Sequence, residues 1–212
     1  VYNVTSTNKL IEKNLLSKLE IECINLQYST KDIETIKRSP YQDEIKWIVE
    51  NKKRNEFITN LCCQIKGNTL LLFNYVENHG KPLFAKIRKA CPDKTVFFIH
   101  GGTEIEQREF IRKIINKEKN SILVASYGTC STGINIKNIN NIVFSSPSKS
   151  TIRVLQSIGR GLRKSETKDF VKLYDISDNL QHKKYKNHTM KHFDERIKIY
   201  NKENFSFNTV KV

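Results

Sequence analysis

The sequence predicts an α/β fold in which a parallel sheet is flanked by helices and followed by a basic helical tail. Short, continuously apolar segments recur from residue 69 onward, which is typical of strands buried on both faces of a sheet. The segments between them are long enough for the crossover helices that parallel strands require. The predicted strands are Thr69–Phe73, Thr95–Ile99, Ser121–Ala125, Asn141–Phe144 and Phe170–Tyr174, and the predicted helices between them are Glu77–Ala90, Thr103–Lys119 and Lys149–Leu162.

The residues before this alternation follow a different pattern. A short helix is predicted over Lys9–Leu19 and a strand over Ile21–Leu26. The polar stretch Thr30–Pro40 predicts an exposed loop that ends at the proline. Apolar residues at helical intervals then predict one long helix over Tyr41–Lys66, which the following glycine terminates.

These patterns predict three segments. We expect residues 1–40 to be an interdomain linker, residues 41–178 the α/β domain, and residues 179–212 a basic helical extension. The extension contains Lys183, Lys184, Lys186 and Arg196, which either bind an anionic partner or form a solvated surface. The chain begins with Val1 instead of methionine, so we expect a fragment or a trimmed chain.

The charge balance favours an anionic partner. Among 212 residues, 37 are Lys or Arg and 22 are Asp or Glu, which gives a formal net charge of +15. Such an excess makes nucleic acid the first partner to consider, although a lysine-rich solvated surface is the alternative. No apolar run approaches the length of a membrane span and no signal peptide is present, so no membrane partner is expected.

The cysteines predict a reducing compartment. Their number is odd, and no C-x-x-C pair or histidine at metal spacing accompanies them. The five are Cys23, Cys62, Cys63, Cys91 and Cys130. We expect reduced thiols, a cytoplasmic location and no metal site on this chain.

The stretch Gln156–Arg163 reads Q-S-I-G-R-G-L-R and predicts an anion-binding helix. On a helix that starts at Ile152, a single stripe contains Gln156, Arg160 and Arg163. Guanidinium groups beside a core-facing stripe suit a carboxylate or a phosphate. The alternative is an amphipathic helix whose arginines are solvated.

Two loops at the ends of predicted strands also have the composition of phosphate sites. His100, Gly101, Gly102 and Thr103 follow the second strand, and Thr103 has capping-box spacing to Glu106. Backbone N–H groups at such a turn can bind a phosphate oxygen, although most glycine turns are only turns. Because parallel strands end at one edge of their sheet, we expect these loops to share that edge.

The second of these loops, residues 126–135, follows the third strand. Four hydroxyl residues, Ser126, Thr129, Ser131 and Thr132, supply the small polar groups that grip a sugar-phosphate backbone. Asn135 closely follows Gly133 and could reach a ribose hydroxyl. An ordinary Ser/Gly connection is the alternative for the loop taken alone.

Taken together, these motifs resemble the superfamily 2 helicases. The order strand, S-x6-G-I-N, strand and Q-x2-G-R-x2-R resembles motifs V and VI of the second RecA-like motor domain. The segment from Thr69 to Asn74 and His100–Gly102 resemble the motif IV region. The sequences V-A-S-Y-G-T-C-S-T-G-I-N and L-Q-S-I-G-R-G-L-R-K are most similar to those of the UvsW helicases of T-even-like phages. The resemblance covers nearly the whole chain.

The resemblance implies a RecA-like fold of the P-loop NTPase type and a role for each motif. Arg160 and Arg163 would reach the γ-phosphate of ATP across an interdomain cleft, with Gln156 orienting that phosphate or the attacking water. Gly133 and Asn135 would lie near the ribose. The residues implied to contact nucleic acid are Asn74, His100, Gly101, Gly102, Thr103, Ser126, Thr129, Ser131 and Thr132, and we add Lys183 and Lys184 of the tail. The family more often has Thr at position 126 and Asp at position 135, so the ribose contact lacks that charge.

The sequence also lacks the ATP-binding motifs of a complete helicase motor. It contains neither G-x-x-x-x-G-K-[ST] nor a D-E-x-H box, so we expect ATP with Mg²⁺ to be held mainly by an N-terminal RecA-like domain. The resemblance implies the C-terminal motor domain of an ATP-dependent DNA helicase that remodels forks, Holliday junctions and R-loops in recombination and repair. We expect the protein to act in the cytoplasm of a bacterial host, and this chain to be inactive alone. The alternatives are a stand-alone nucleic-acid-binding or annealing module and a small-molecule α/β enzyme with a phosphate-bearing substrate.

Overall fold

The computed structural model describes residues 17–132, 136, 138–147, 159 and 170–212, without the side chains of residues 131 and 132. Within these residues, seven strands form one sheet in which every pairing is parallel. The strands are β1 (Lys18–Gln27), β2 (Thr69–Phe73), β3 (Thr95–Ile99), β4 (Ser121–Ser126), β5 (Asn141–Phe144), β6 (Phe170–Asn179) and β7 (Phe207–Lys211). Their spatial order is β3-β4-β2-β5-β6-β1-β7.

Helices cover both faces of this sheet, as the continuous apolar strands predict. They are α1 (Thr30–Ile36), α2 (Tyr41–Glu50), α3 (Lys52–Gln64), a π-helical turn (Val76–Gly80), α4 (Lys81–Ala90), α5 (Ile105–Ile115), α6 (Tyr127–Thr132) and α7 (His188–Lys202). On one face α3 and α4 bury Ile58 and Leu83 against the sheet. On the other face α5 and α7 bury Ile111 and Phe193. The predicted helix Lys149–Leu162 lies outside the described residues, apart from the helical backbone of Gly159.

The five predicted strands are confirmed, and β4 and β6 extend beyond their predicted ends. Every residue of β2, β4 and β5 is buried, which explains their continuous apolar runs. The sheet also includes β1, from the predicted linker, and β7, from the predicted extension. All three predicted segments therefore contribute to one sheet, while the boundaries at residues 40 and 178 stay a prediction.

Two predictions for the region before β2 are wrong. The stretch predicted as a loop over Thr30–Pro40 contains α1, because Ser29 caps that helix by accepting a hydrogen bond from the backbone N–H of Asp32 at 3.2 Å. The predicted long helix over Tyr41–Lys66 is two helices. Asn51 ends α2 and starts α3, since its side chain accepts from the backbone N–H of Arg54 at 3.0 Å.

Both ends of the chain also differ from expectation. The predicted helix over Lys9–Leu19 lies mostly outside the described residues, but Lys18 and Leu19 begin strand β1. The tail, predicted to be helical, contains α7 and then β7, which pairs with β1. Ile21 of β1 faces Phe207 in this pairing, a contact across the whole length of the chain that local periodicity does not reveal.

The prediction that all five thiols are reduced is wrong for two of them. Cys63 and Cys91 form a disulfide that joins the end of α3 to the end of α4, with their Cα atoms 5.4 Å apart. Sequence spacing hides this pair because the two residues are 28 positions apart. Cys23, Cys62 and Cys130 are free and buried. None of the helices in the described part of the chain is long and apolar enough to cross a membrane.

The π-helical turn after β2 depends on a glycine. A Cβ atom on Gly80 would lie 2.4 Å from the ring of Phe73, closer than any real contact. Phe73 cannot give way easily, because it is fully buried and stacks on Phe98 at a centroid distance of 5.5 Å. The turn therefore lies directly on the core beneath the loop that follows β2.

Candidate functional site

The loops predicted to contact nucleic acid meet at one edge of the sheet. The strands β3, β4, β2 and β5 are consecutive neighbours, so their carboxyl ends lie in a row about 14 Å long. We name this the carboxyl edge. It contains Asn74 after β2, His100 after β3, Ser126 at the end of β4 and Ser145 after β5. The predicted shared edge is confirmed.

The loop after β3 is closed by its own side chains. Thr103 Oγ1 accepts a hydrogen bond from the backbone N–H of His100 at 3.0 Å, and the backbone N–H of Gly102 donates to His100 Nδ1 at 3.1 Å. The predicted capping box from Thr103 to Glu106 is wrong. The Thr103 hydroxyl is buried and serves the loop, and α5 begins only at Ile105. Gly101 and Gly102 remain exposed at the surface.

Arg108 is a site residue that sequence analysis missed. Its Nε donates to the carbonyl of Thr103 at 2.8 Å and its Nη2 to the carbonyl of Gly101 at 2.8 Å. The guanidinium therefore fixes the backbone of the glycine loop and adds positive charge beside it. The local sequence does not distinguish Arg108 from the other basic residues of α5. Its role depends on how the loop after β3 packs against the helix.

The stretch after β4 is a helix and not the predicted loop. Ser126 Oγ accepts from the backbone N–H of Thr129 at 3.3 Å and lies 2.7 Å from Thr129 Oγ1, so Ser126 caps the short helix α6. Both hydroxyls are buried. The backbones of Ser131 and Thr132 belong to α6, and their side chains lie outside the described residues. Contact of these four hydroxyls with nucleic acid stays a prediction.

The loop after β5 is anchored to the loop after β2. The backbone N–H of Asn74 donates to Ser146 Oγ at 3.2 Å, and Asn74 Nδ2 donates to the carbonyl of Pro147 at 3.3 Å. His79 Nδ1, from the π-helical turn, lies 3.0 Å from the same Ser146 Oγ. Asn74 therefore holds two loops together, and its contact with nucleic acid stays a prediction.

A buried ion pair supports the same loop from below. Arg54 Nε donates to Asp178 Oδ1 at 2.7 Å, and Arg54 Nη2 donates to the carbonyl of Ser145 at 2.8 Å. Tyr28 donates its hydroxyl to Asp178 Oδ1 at 2.6 Å. Burial alone would lower the pKa of Arg54, but the facing Asp178 carboxylate more than offsets this and raises it. The pair is charged and links α3, β5 and β6.

The neutral state of His79 leads to a prediction about pH. Burial, and then the nearby Arg54 guanidinium, hold the pKa of His79 well below its ordinary value of 6.5. Below about pH 6.5, His79 is therefore protonated in the unfolded chain but stays neutral in the folded chain. The stability that the fold has above that pH is lost as the pH falls. We expect His79→Gln to reduce this loss, which has a limit of about 1.4 kcal/mol per pH unit.

Urea unfolding at about pH 5 and about pH 7.5 gives the loss of unfolding free energy on acidification. The effect of His79 is this loss in the wild-type chain minus the same loss in His79→Gln. His100, which lies at the surface of the glycine loop, provides the control substitution His100→Gln. Equal acid destabilisation of the wild-type chain and of His79→Gln would contradict the prediction.

The tail presents fewer available cations than its composition indicates. Lys183 has φ of 53° at the tip of a tight turn between His182 and Tyr185, and both Lys183 and Lys184 are exposed. Lys186 instead pairs with Asp194 at 2.7 Å. The expectation that Arg196 adds to a basic surface is wrong, because it is buried against Asp175.

The residues predicted to contact ATP lie outside the described residues. They are Gly133, Asn135, Gln156, Arg160 and Arg163. The strands that precede them in the chain, β4 and β5, both pair with β2. Within the described ranges, no group of three or more His, Cys, Asp or Glu side chains could hold a metal ion.

Comparison with known families matches residues 52–165 to the helicase conserved C-terminal domain. The chain belongs to this family. The match covers more than half of the sequence and includes β2 to β5, the carboxyl edge and Gln156–Arg163, which we name the arginine motif. The RecA-like fold inferred from motifs IV to VI is therefore confirmed for this helicase C-terminal domain.

Individual relatives agree with this assignment. The ATP-dependent DNA helicase UvsW of Enterobacteria phage T4 is 34% identical over 98% of this chain and 43% of its own length. The crystal structure of T4 UvsW matches with a TM-score of 0.78 over 93% of this chain and 42% of that chain. The resemblance to UvsW helicases is confirmed, and the chain spans less than half the length of this relative.

More distant helicases share only the fold. A DEAD box protein from Methanococcus jannaschii is 16% identical, with a TM-score of 0.57 over 94% of this chain and 43% of that chain. The C-terminal domain of the DEAD-box protein Dbp5 is 12% identical, with a TM-score of 0.57 over 94% of this chain and 92% of that domain. These two matches show that the seven-stranded fold is shared.

Proposed function

We propose that this chain is the C-terminal motor domain of an ATP-dependent DNA helicase or translocase. The observation that carries the proposal is the family match, which includes the arginine motif, together with the likeness to UvsW. The net charge of +15 supports DNA as the partner. The second partner is an N-terminal RecA-like domain that holds most of ATP and Mg²⁺, since this sequence lacks a phosphate loop and a D-E-x-H box.

In this proposal the arginine motif completes the ATP site when the two domains close. Arg160 and Arg163 donate to the terminal phosphate and neutralise charge that develops during its transfer. Gln156 orients that phosphate or the attacking water, and Gly133 with Asn135 contacts the ribose. The chain alone therefore hydrolyses no ATP.

The carboxyl edge contacts the DNA backbone. Gly101 and Gly102 are exposed there, and Arg108 adds charge next to them. Phosphate contacts of this kind position a strand without reading its sequence, as translocation requires. The preferred substrates are forks, Holliday junctions and R-loops in recombination and repair, and the R-loops also contain RNA. The domain acts in the cytoplasm of a phage-infected host.

The test is reconstitution of ATP hydrolysis. DNA-stimulated turnover is measured for this chain alone and for the chain fused behind the N-terminal RecA-like domain of a superfamily 2 helicase, for which UvsW is the natural donor. We expect turnover only in the fusion. Measurable hydrolysis by the chain alone, or a fusion that binds DNA with no turnover, contradicts the motor function. The second outcome supports the stand-alone DNA-binding or annealing module, which the exposed Lys183 and Lys184 favour.

A further inference from the structure

Four aromatic rings contact one another beside the carboxyl edge, and a fifth, Tyr75, lies near enough to contribute, after burial, to the raised pKa of Tyr41. They are Tyr41, Tyr75, Tyr185, His188 and His192, and we name them the ring cluster. The Tyr41 ring lies 5.9 Å from that of His188 and 5.2 Å from that of His192, and the Tyr185 ring lies 6.5 Å from that of His188. Tyr75 is 38% exposed and the other four are half-buried.

Three separate segments bring these rings together. Tyr75 follows Asn74 after β2, and its carbonyl accepts from the backbone N–H of Gly80 at 2.8 Å across the π-helical turn. Tyr41 starts α2, which contacts both that turn and α7. Tyr185 and the two histidines come from the turn after β6 and the start of α7. Only β5 lies between β2 and β6, so the two strands run about 10 Å apart, and β6 continues three residues past the level of Phe73.

Cations surround the ring cluster. Lys183 and Lys184 are exposed immediately before Tyr185, and Lys191 Nζ lies 5.2 Å from the centre of the Tyr185 ring. Two neighbouring carboxylates are already paired. Glu44 is buried and accepts from the backbone N–H groups of residues 188 and 189 at 2.9 and 2.7 Å, and Asp194 pairs with Lys186. Exposed lysines therefore lie directly beside Tyr185.

Aromatic faces combined with lysines match the chemistry of unpaired nucleotides. Bases stack on aromatic side chains irrespective of sequence, and lysines contact the phosphates between them. A protein partner would instead be expected to meet a central apolar patch with few charges. Each ring here has a polar atom, and exposed lysines lie beside the cluster.

We propose that the ring cluster is a stacking surface for single-stranded DNA, which extends the carboxyl edge across β5 towards β6. A strand that leaves the loops after β4 and β2 meets Tyr75 first and then Tyr185, with its phosphates near Lys183 and Lys184. The inference rests on the proposed function in one respect, that the domain binds DNA, and it adds a binding mode to that function. The surface holds unpaired bases and has no equivalent contact with a duplex.

The test measures affinity by fluorescence anisotropy, with a labelled oligo-dT of about 12 nucleotides and a blunt duplex of equal length. We expect Tyr75→Ala and Tyr185→Ala each to weaken single-strand binding by about 10-fold and to leave duplex binding unchanged. Tyr75→Phe retains the affinity because stacking needs the ring and not the hydroxyl. Phe110→Ala is the matched control, since Phe110 is 63% exposed on α5 and lies outside the ring cluster.

Salt dependence separates stacking from charge. The tyrosine variants keep the slope of log affinity against log salt, whereas Lys183→Ala with Lys184→Ala reduces it. The inference is overturned if the wild-type chain binds the single strand and both tyrosine variants bind equally well, or if duplex binding falls equally. Both results leave the motor function intact. Failure of the wild-type chain to bind any DNA overturns the DNA-binding part of the proposed function instead.

Discussion

Replacing Arg160 with alanine in the two-domain fusion is expected to lower kcat for ATP hydrolysis by at least about 10³-fold, with DNA affinity unchanged. An arginine that reaches the terminal phosphate from a second domain supplies charge only in the closed cleft, so its removal affects the transition state more than substrate binding. Steady-state hydrolysis at saturating DNA gives kcat, and anisotropy with the same protein gives DNA affinity.

Two further substitutions test whether this result is specific to Arg160. Arg160→Lys keeps the charge but loses the planar, bidentate guanidinium, so we expect it to restore little of the activity. Arg88→Ala removes an exposed arginine of α4, outside the stripe of Gln156, Arg160 and Arg163, and is expected to leave kcat within a few-fold of the wild-type value. A kcat for Arg160→Ala within 10-fold of wild type would show that Arg160 is not the trans-acting group.

The sheet was predictable because its strands are buried on both faces. In β2, β4 and β5 no residue faces solvent, so each strand is one uninterrupted apolar run that no amphipathic helix would produce. The crossover lengths between the runs then determine that the strands are parallel. The carboxyl edge follows from that direction alone, which is why the sequence placed its loops together.

The errors come from interactions that local periodicity does not encode. α1 has only one strongly buried apolar residue, Ile36, which packs on Ile48 and Leu180, so its pattern resembles a polar loop. The break at Asn51 interrupts a helical repeat that continues on both sides of it. Strand β7 has a mostly exposed pattern because it lies at the edge of the sheet.

Within the site, residue types were predictable and hydrogen-bond partners were not. The sequence singled out Thr103 and Ser126 as polar groups at strand ends, but it could not show that their hydroxyls bond their own loops. Arg54 and Asp178 are 124 positions apart, and only the packing of α3 against β6 makes them partners. Long-range pairs of this kind need the assembled sheet before they can be recognised.

A second buried ion pair holds the tail on the sheet. Arg196 of α7 donates to both carboxylate oxygens of Asp175 on β6, with Nε to Oδ2 at 2.8 Å and Nη2 to Oδ1 at 2.8 Å. Tyr200 donates its hydroxyl to the same carboxylate at 2.7 Å. Both charged side chains are almost completely buried. α7 is therefore packed on the sheet and is not a solvated helix.

We expect Asp175→Asn to lower the free energy of unfolding by about 3–5 kcal/mol, because the substitution keeps the shape and leaves the Arg196 charge buried without compensation. Urea unfolding followed by circular dichroism measures the change. Glu195→Gln is the control. It breaks the exposed pair of Glu195 with Lys198 on the same helix and should cost at most about 1 kcal/mol.

The double variant Asp175→Leu with Arg196→Met separates buried charge from lost packing. Replacing both partners by apolar groups removes the uncompensated charge, so we expect it to recover much of the stability that Asp175→Asn loses. The hydroxyl of Tyr200 then lacks its acceptor, which limits the recovery by about 1–3 kcal/mol. A double variant no more stable than Asp175→Asn would show that α7 is held by the shape of this contact and not by its charge.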